Sequence, residues 1–259
     1  MLRRMVETAR LITVSFSHYC EKARWGLERA GVPFREEPHL PMFHMVATRR
    51  VRARRTVPAL VTGGRVLPDS SDILAHADGG SGLLYPTDAA LREEVLALED
   101  RFDEVLGPHT RRLAYHYALD DRKVALDLVR AEGPLWQRRL IGPLFPLVKA
   151  VMKRAMRIDD AGVERSRRRI DEVFADVSTR LDGRRFLVGD RFTAADLTFA
   201  ALAAPVIVPD GYGARLPRID EVSHAFQDTI GRLRATVAGQ YALRMYATER
   251  RRQATAPPP

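Results

Sequence analysis

The sequence predicts an α/β domain followed by an all-helical domain. Three observations carry this: the apolar period switches from two to three and four at Ser17, two short apolar runs flank Gly63-Gly64, and helical periodicity dominates from residue 89 onward. Ile12, Val14 and Phe16 are spaced by two and read as a strand with one face packed inward. Cys20, Ala23, Leu27 and Ala30 then mark the apolar side of a helix that Gly31 ends. Ser17 sits at or beside the N-cap of that helix. Free backbone N–H groups and the positive end of the helix dipole favour an anion there, and a thiolate is such an anion.

Phe34 to Leu40 reads as a second strand, parallel to the first because a helix lies between them. Pro41 to Arg55 carries His44, Arg49, Arg50, Arg52, Arg54 and Arg55, too many charges to bury, and reads as a short helix and a solvent-facing loop. Ala59-Leu60-Val61 and Arg65-Val66-Leu67 around two glycines form a hairpin. A crossover followed by a hairpin is the thioredoxin-like layout. Val57-Pro58 opens a strand at a position with no ladder bond to lose, and the residues leave its isomer open. Asp69-Ser70-Ser71 starts a helix through His76, with the serines as natural N-caps. Gly79-Gly80-Ser81-Gly82 is the clearest linker. The expected organisation is a first domain over 1–80, a linker over 81–88, a helical domain over 89–250 and a frayed tail over 251–259 that includes Pro257-Pro258-Pro259.

In the helical part, Leu91, Val95, Leu98, Phe102 and Val105 predict a helix that Gly107-Pro108 breaks. The apolar tract from Leu140 to Met152 carries Pro143, Pro146 and Lys149 and is shorter than the roughly 20 residues of a membrane span, so a buried or interfacial helix is expected. Ile170, Val173, Phe174, Val177 and Leu181 line another helix. Thr193-Ala194-Ala195-Asp196 has the form of a capping box before an apolar helix, Leu197 to Ala204. Ile219, Val222, Phe226, Ile230 and Leu233 predict one further helix, and Tyr241 to Arg250 a last one.

Composition narrows the function classes. The chain has 259 residues, 46% of them hydrophobic, enough for two modest cores. Its single cysteine, Cys20, excludes an internal disulfide framework and a Cys-rich zinc site, and points to a reducing compartment. Met1-Leu2-Arg3-Arg4 leads into polar residues rather than a cleavable signal, so a cytoplasmic location is expected. The net charge of +9 raises nucleic acid or an anionic membrane surface as partners. The excess is arginine scattered over nearly every helix, including Arg165, Arg167, Arg168 and Arg169, and solvated helix faces explain it. His18 and His44 lack partners at ligand spacing, so no metal is expected.

Ser17-His18-Tyr19-Cys20 is a Ser-x-x-Cys version of the thioredoxin-type redox turn, and with Glu21-Lys22-Ala23-Arg24-Trp25 after it the segment resembles the N-terminus of glutathione transferases. Thr56-Val57-Pro58-Ala59-Leu60, Leu67-Pro68-Asp69-Ser70-Ser71-Asp72-Ile73-Leu74 and the segment from Phe186 to Asp196 agree with that resemblance, in the expected order. It implies a thioredoxin-like domain ahead of an all-helical one, with glutathione as co-substrate and a two-fold homodimer. It further implies that Val57-Pro58 is cis and pairs its backbone with a peptide-like ligand. Ser70 and its helix start would hold the γ-glutamyl carboxylate, and Asp69 the ammonium. This chain has Asp69 where the family has Glu or Gln, which shortens that contact by a methylene.

Ser17 is the expected donor to a bound thiolate, since a hydrogen bond to a charged group contributes about 1.5–3 kcal/mol. Tyr19 is an alternative donor or a cleft-lining ring, and Cys20, one turn inside the helix on its apolar side, is a buried hydrophobe or else a thiol reductase centre. Arg54, Arg49 or His44 is the expected cation for the glycine carboxylate. Tyr115 and His116, with Tyr117, are candidates for the acceptor pocket. Two further readings remain, a non-catalytic binding or scaffold module and, last, a nucleic-acid binder through 49–55 and 165–169, which steep salt dependence distinguishes.

Overall fold

The computed structural model describes residues 8–250, and the expected tail over 251–259 and the N-terminal residues Met1–Arg4 lie outside the described residues. The first domain runs β1 (Ala9–Thr13), α1 (His18–Arg29), β2 (Phe34–Pro38), α2 (His44–Arg50), β3 (Ala59–Thr62), β4 (Arg65–Leu67) and α3 (Ser70–Asp78). Its sheet has the order β2-β1-β3-β4. β1 is parallel to β2, with Leu11 opposite Glu36, and antiparallel to β3, with Leu11 opposite Leu60. This is the thioredoxin-like layout with its mixed four-stranded sheet.

The first strand corrects the sequence reading twice. It ends at Thr13, because the Ser17 N–H donates to Val14 O at 2.8 Å and closes a tight turn, so Val14 and Phe16 are turn residues. It is also covered on both faces. Leu11 packs with Ala23, Leu27, Leu60 and Ile73 under α1 and α3, while Ile12 packs with Ala47 and Ala59 under α2. Asp69, not a serine, caps α3, its Oδ1 accepting from Ser71 N at 2.9 Å. Gly79 ends α3 in the left-handed conformation (φ 55°).

The helical domain contains α4 (Ala89–Arg101), α5 (Gly107–Ala118), α6 (Arg122–Arg130), α7 (Leu135–Ala155), α8 (Asp160–Arg180), α9 (Ala194–Ile207), α10 (His224–Arg234) and α11 (Val237–Thr248). α9 is buried through the centre of the main core. The capping box forms as expected: Asp196 Oδ2 accepts from Thr193 N at 2.7 Å, and Asp196 Oδ1 accepts from Leu187 N at 2.8 Å. The further helix expected over Ile219–Leu233 is instead a 3₁₀ turn at Ile219–Glu221 and then α10, separated where Val222 is extended (ψ 164°). The last helix starts earlier than expected, at Val237, where Thr236 Oγ1 accepts from Gly239 N.

Gly107-Pro108 does not break its helix. Five residues, Phe102–Leu106, form a wider π turn between α4 and α5, and Gly107 N donates to Phe102 O, five residues back. In that register the proline's missing N–H leaves the carbonyl of Asp103 over, and Tyr19 Oη donates to it at 2.7 Å from α1. A Cβ on Gly107 would lie 2.3 Å from that Tyr19 oxygen, so only glycine admits the contact.

The α1 helix is buried nearly all round, from Cys20 through Leu27, rather than on one apolar side. Its polar side meets the second domain with every charge paired. Lys22, fully buried, has its Nζ 2.9 Å from Glu99 Oε1 and 2.5 Å from Asp103 Oδ2, and donates to Ser71 Oγ at 2.8 Å. Tyr85 Oη donates to Glu99 Oε2 at 2.8 Å. Arg24 grips Glu36 with two bonds, at 3.0 and 2.7 Å, and Arg250 reaches Glu21 at 2.7 Å. Trp25 stacks on Phe192 and Tyr246, and Gly26 lets α3 approach, since a Cβ there would be 2.8 Å from Leu74.

Removing one partner from such a buried group leaves an uncompensated charge, so Lys22→Met should destabilise the chain by about 3–5 kcal/mol in urea unfolding. The triple variant Lys22→Met/Glu99→Gln/Asp103→Asn should recover most of that loss. A cost under about 1 kcal/mol for the single change would show that the network does not hold the domains together.

Candidate active site at the start of the first helix

Three sequence-predicted features share one edge of the sheet. The turn after β1 delivers Ser17 to the N-cap of α1. Ala59 pairs with Ile12, so Val57-Pro58 lies just beyond the end of β1, and that peptide is cis. The first turn of α3 is tied to α1 by the Lys22–Ser71 bond. Two helix N-termini and the proline-bearing loop are thereby brought together, an arrangement whose N–H groups attract an anion. Ser70 is nearly buried there, and the Asp69 carboxylate serves the α3 cap.

Asp69, Asp88, Asp121, Asp159 and Thr236 each accept a hydrogen bond from the first turn of their helix, whereas the two N-cap serines, Ser17 and Ser223, cap nothing. Ser17 is the one at the end of β1, which the cis Val57-Pro58 peptide also borders. Its side chain is half-buried and acts to lower the pKa of the Cys20 thiol one turn on. Cys20 is fully buried, and burial pushes its thiol up to about 12, outweighing the hydrogen bonds from Val14 and Ser17. That is the environment of a packed thiol rather than of a nucleophile.

The residues on either side of Ser17 face the helical domain. His18 lies within 3.0 Å of Gly107 O through Nε2, which fixes the neutral tautomer with its proton on that nitrogen. Burial, reinforced by the Arg111 guanidinium, lowers its pKa to about 3. Phe16 and His18 also line an apolar cavity of about 50 Å³ with Arg111, Tyr115, Leu128 and Phe226. Tyr115, with its ring edge-on to Phe16, therefore sits where an acceptor pocket was expected.

Other candidates fall elsewhere. Tyr19 is spent on Asp103 O and is not free to donate to a thiol. His116 stacks edge-on against Tyr117 and does not line the cavity with Tyr115. Arg54 and Arg49 are exposed and have no ion pair among the described residues, while His44 is half-buried with its pKa lowered by burial. No cluster of three metal-ligating side chains occurs among the described residues. Sequence reasoning missed Lys22, Glu99, Asp103 and Arg111. Lys22 reads as an ordinary exposed helix charge, and only the contact between domains shows otherwise.

Two measurements check this geometry. A native histidine at about 3 against about 6.5 unfolded means the unfolded chain takes the proton first, so stability present above pH 6.5 falls by up to about 1.4 kcal/mol per unit as pH drops toward 3. His18→Gln, which keeps a donor for Gly107 O, should flatten the stability–pH curve between pH 6 and 4. Cys20 should resist iodoacetamide at pH 8 in the native protein and react at once in denaturant. Rapid native alkylation would contradict the buried, protonated thiol.

Comparison with known proteins supports the same reading. A family model described as the glutathione S-transferase N-terminal domain matches residues 11–81, and one for the C-terminal domain matches residues 160–225, together more than half of the chain. Similar solved structures include a beta-etherase from Sphingobium sp. strain SYK-6 (19% identical, covering 92% of this chain and 99% of that one, TM-score 0.60). A glutathione transferase from Phanerochaete chrysosporium is 17% identical over 93% of this chain and 97% of its own, with a TM-score of 0.62. Another from Burkholderia graminis, with two glutathione molecules bound per subunit, is 18% identical over 93% and 84%, with a TM-score of 0.57. No curated protein matches the sequence. With its mixed four-stranded domain packed on a helical one and both family models matched, the chain belongs to the glutathione S-transferase family.

Proposed function

We propose that this protein is a glutathione transferase that activates the glutathione thiol with Ser17 and passes the sulfur to a small hydrophobic electrophile. The observation that carries the reading is an N-cap serine whose hydroxyl caps nothing at the end of β1, where the cis Val57-Pro58 peptide also lies. When glutathione binds at this end of the sheet, the O–H of Ser17 turns to the bound thiolate and joins the N–H groups of the first turn of α1. Hydrogen bonds of this charged kind contribute about 1.5–3 kcal/mol, enough to lower a thiol pKa by one to two units. The thiolate then attacks the electrophilic carbon, forming the C–S bond as the leaving group departs with its electron pair.

The other contacts follow the resemblance. The backbone at Val57-Pro58 pairs with the peptide-like centre of glutathione, Ser70 and the N–H groups of α3 take the γ-glutamyl carboxylate, and Asp69 takes the ammonium. Arg54 supplies the cation for the glycine carboxylate. The acceptor lies beside Tyr115 in the cavity between the domains. Its free volume is small for an organic electrophile, so Phe16 and Tyr115 must shift on entry. A two-fold homodimer in the cytoplasm completes the reading, consistent with a lone, reduced cysteine.

Titration calorimetry with glutathione should show saturable binding that Ser70→Ala weakens. Ser17→Ala should bind glutathione about as well but transfer it to a chloronitrobenzene about 10–100-fold more slowly. Its pH–rate profile should move toward that of the free thiol. Binding without turnover in the wild-type chain would instead favour the non-catalytic module. Disulfide reduction lost in Cys20→Ser would favour the reductase.

A further inference from the structure

α7 has two apolar faces, and the protein covers only one of them. Ile141, Phe145 and Val148 point inward, and Gln137 bonds the Leu40 backbone N–H at 2.9 Å, so this face seats the helix on the chain after β2. On the adjoining, solvent-facing side Trp136, Leu140, Leu144, Leu147 and Val151 follow one another at helical spacing, each between 38% and 59% exposed. From Trp136 to Val151 the rise of 1.5 Å per residue gives a stripe about 22 Å long. Val46 of α2, 55% exposed, borders the same cleft as Trp136 and Arg50 and extends the apolar surface at one end. Apolar patches of this continuity mark a surface that something covers.

Charge selects the occupant. No acidic residue occurs from 134 to 158. Lys149 and Lys153 are satisfied by Asp120, at 2.9 and 2.8 Å, but the exposed Arg139 and Arg154 make no ion pair among the described residues and adjoin the stripe. A second copy docking two-fold through this face would set cations against cations across an apolar seam. A lipid surface carrying negative headgroups meets both demands, taking the apolar side chains among its acyl chains and the arginines among its phosphates. Trp136, at one end, is the residue type that prefers the boundary between them. No helix among the described residues is long and apolar enough to cross a membrane, so the helix would lie on the surface.

We infer that the outer face of α7 docks the protein onto an anionic lipid bilayer, with Trp136, Leu140, Leu144 and Leu147 inserted and Arg139 and Arg154 contacting headgroups. The inference is independent of the thiol chemistry. Trp25, the other tryptophan, is 1% exposed, so a change in tryptophan emission on adding vesicles reports Trp136.

The purified protein is titrated with vesicles of phosphatidylcholine alone and of phosphatidylcholine mixed with phosphatidylglycerol. The expected result is a blue-shifted emission and co-sedimentation with the anionic vesicles only, reversed by high salt. Leu144→Glu/Leu147→Glu should abolish binding, and Arg139→Gln/Arg154→Gln should weaken it by about five-fold per arginine. Equal affinity for neutral vesicles, or no affinity for either, overturns the inference. So does a solution dimer that Leu147→Glu converts to a monomer, which would make this face a contact between copies. Should a variant lose its far-UV circular dichroism, the lipid-charge and salt dependence of the wild-type chain decide the matter alone.

Discussion

A single buried ammonium governs how this molecule is put together. Lys22 lies one turn into α1 with no access to water, and an unpaired charge there would cost several kcal/mol. Its partners are Ser71 from α3 and two carboxylates, Glu99 and Asp103, from the second domain. The first helix therefore cannot satisfy its own charge within its own domain. The domains are held in one relative position by the requirement that this network close. Burial, with Glu99 nearby, raises the Asp103 carboxyl above its ordinary range while Lys22 works against that rise, the balance expected where two acids share one base.

The same contact shapes the chemistry. Because Pro108 has no N–H, the π turn leaves a carbonyl over, and Tyr19 fills it. His18 takes a carbonyl four residues further on, that of Gly107. Both side chains following Ser17 are thus spent on docking, which leaves the serine as the polar group of that turn with a hydroxyl free of structural duty. Cys20, though part of the Ser-x-x-Cys pattern, is removed from contention by burial, since a thiolate with no solvent has a cost that two hydrogen bonds do not offset. The choice between an oxygen donor and a sulfur nucleophile is made here by desolvation rather than by sequence motif.

The helical insert formed by α6 and α7 acts at a second level. Its inner face packs on Leu40, and Leu128 of α6 borders the cavity that holds Tyr115. Whatever covers the outer face of α7 therefore bears on a helix pair that touches the acceptor side of the site. The scattered arginines of the sequence resolve into two populations in space. Arg24, Arg29 and Arg250 hold buried carboxylates, whereas Arg139 and Arg154 border an uncovered apolar stripe.

Local chemistry by itself determined much of the architecture. The two glycines between β3 and β4, the Thr193–Asp196 capping box, the change of period at Ser17 and the parallel placement of β2 all follow from interactions within a few residues, which the chain order displays directly. The extent of β1, the two-piece segment around Val222 and the survival of the helix through Gly107-Pro108 were not legible in this way. In each case a turn or a distant partner overrode the apolar period. The burial of Lys22, the spending of Tyr19 and the withdrawal of Cys20 belong wholly to the tertiary structure. Periodicity records which side chains avoid water, but whether a lysine or a thiol meets solvent depends on which element, tens of residues away, is folded against it.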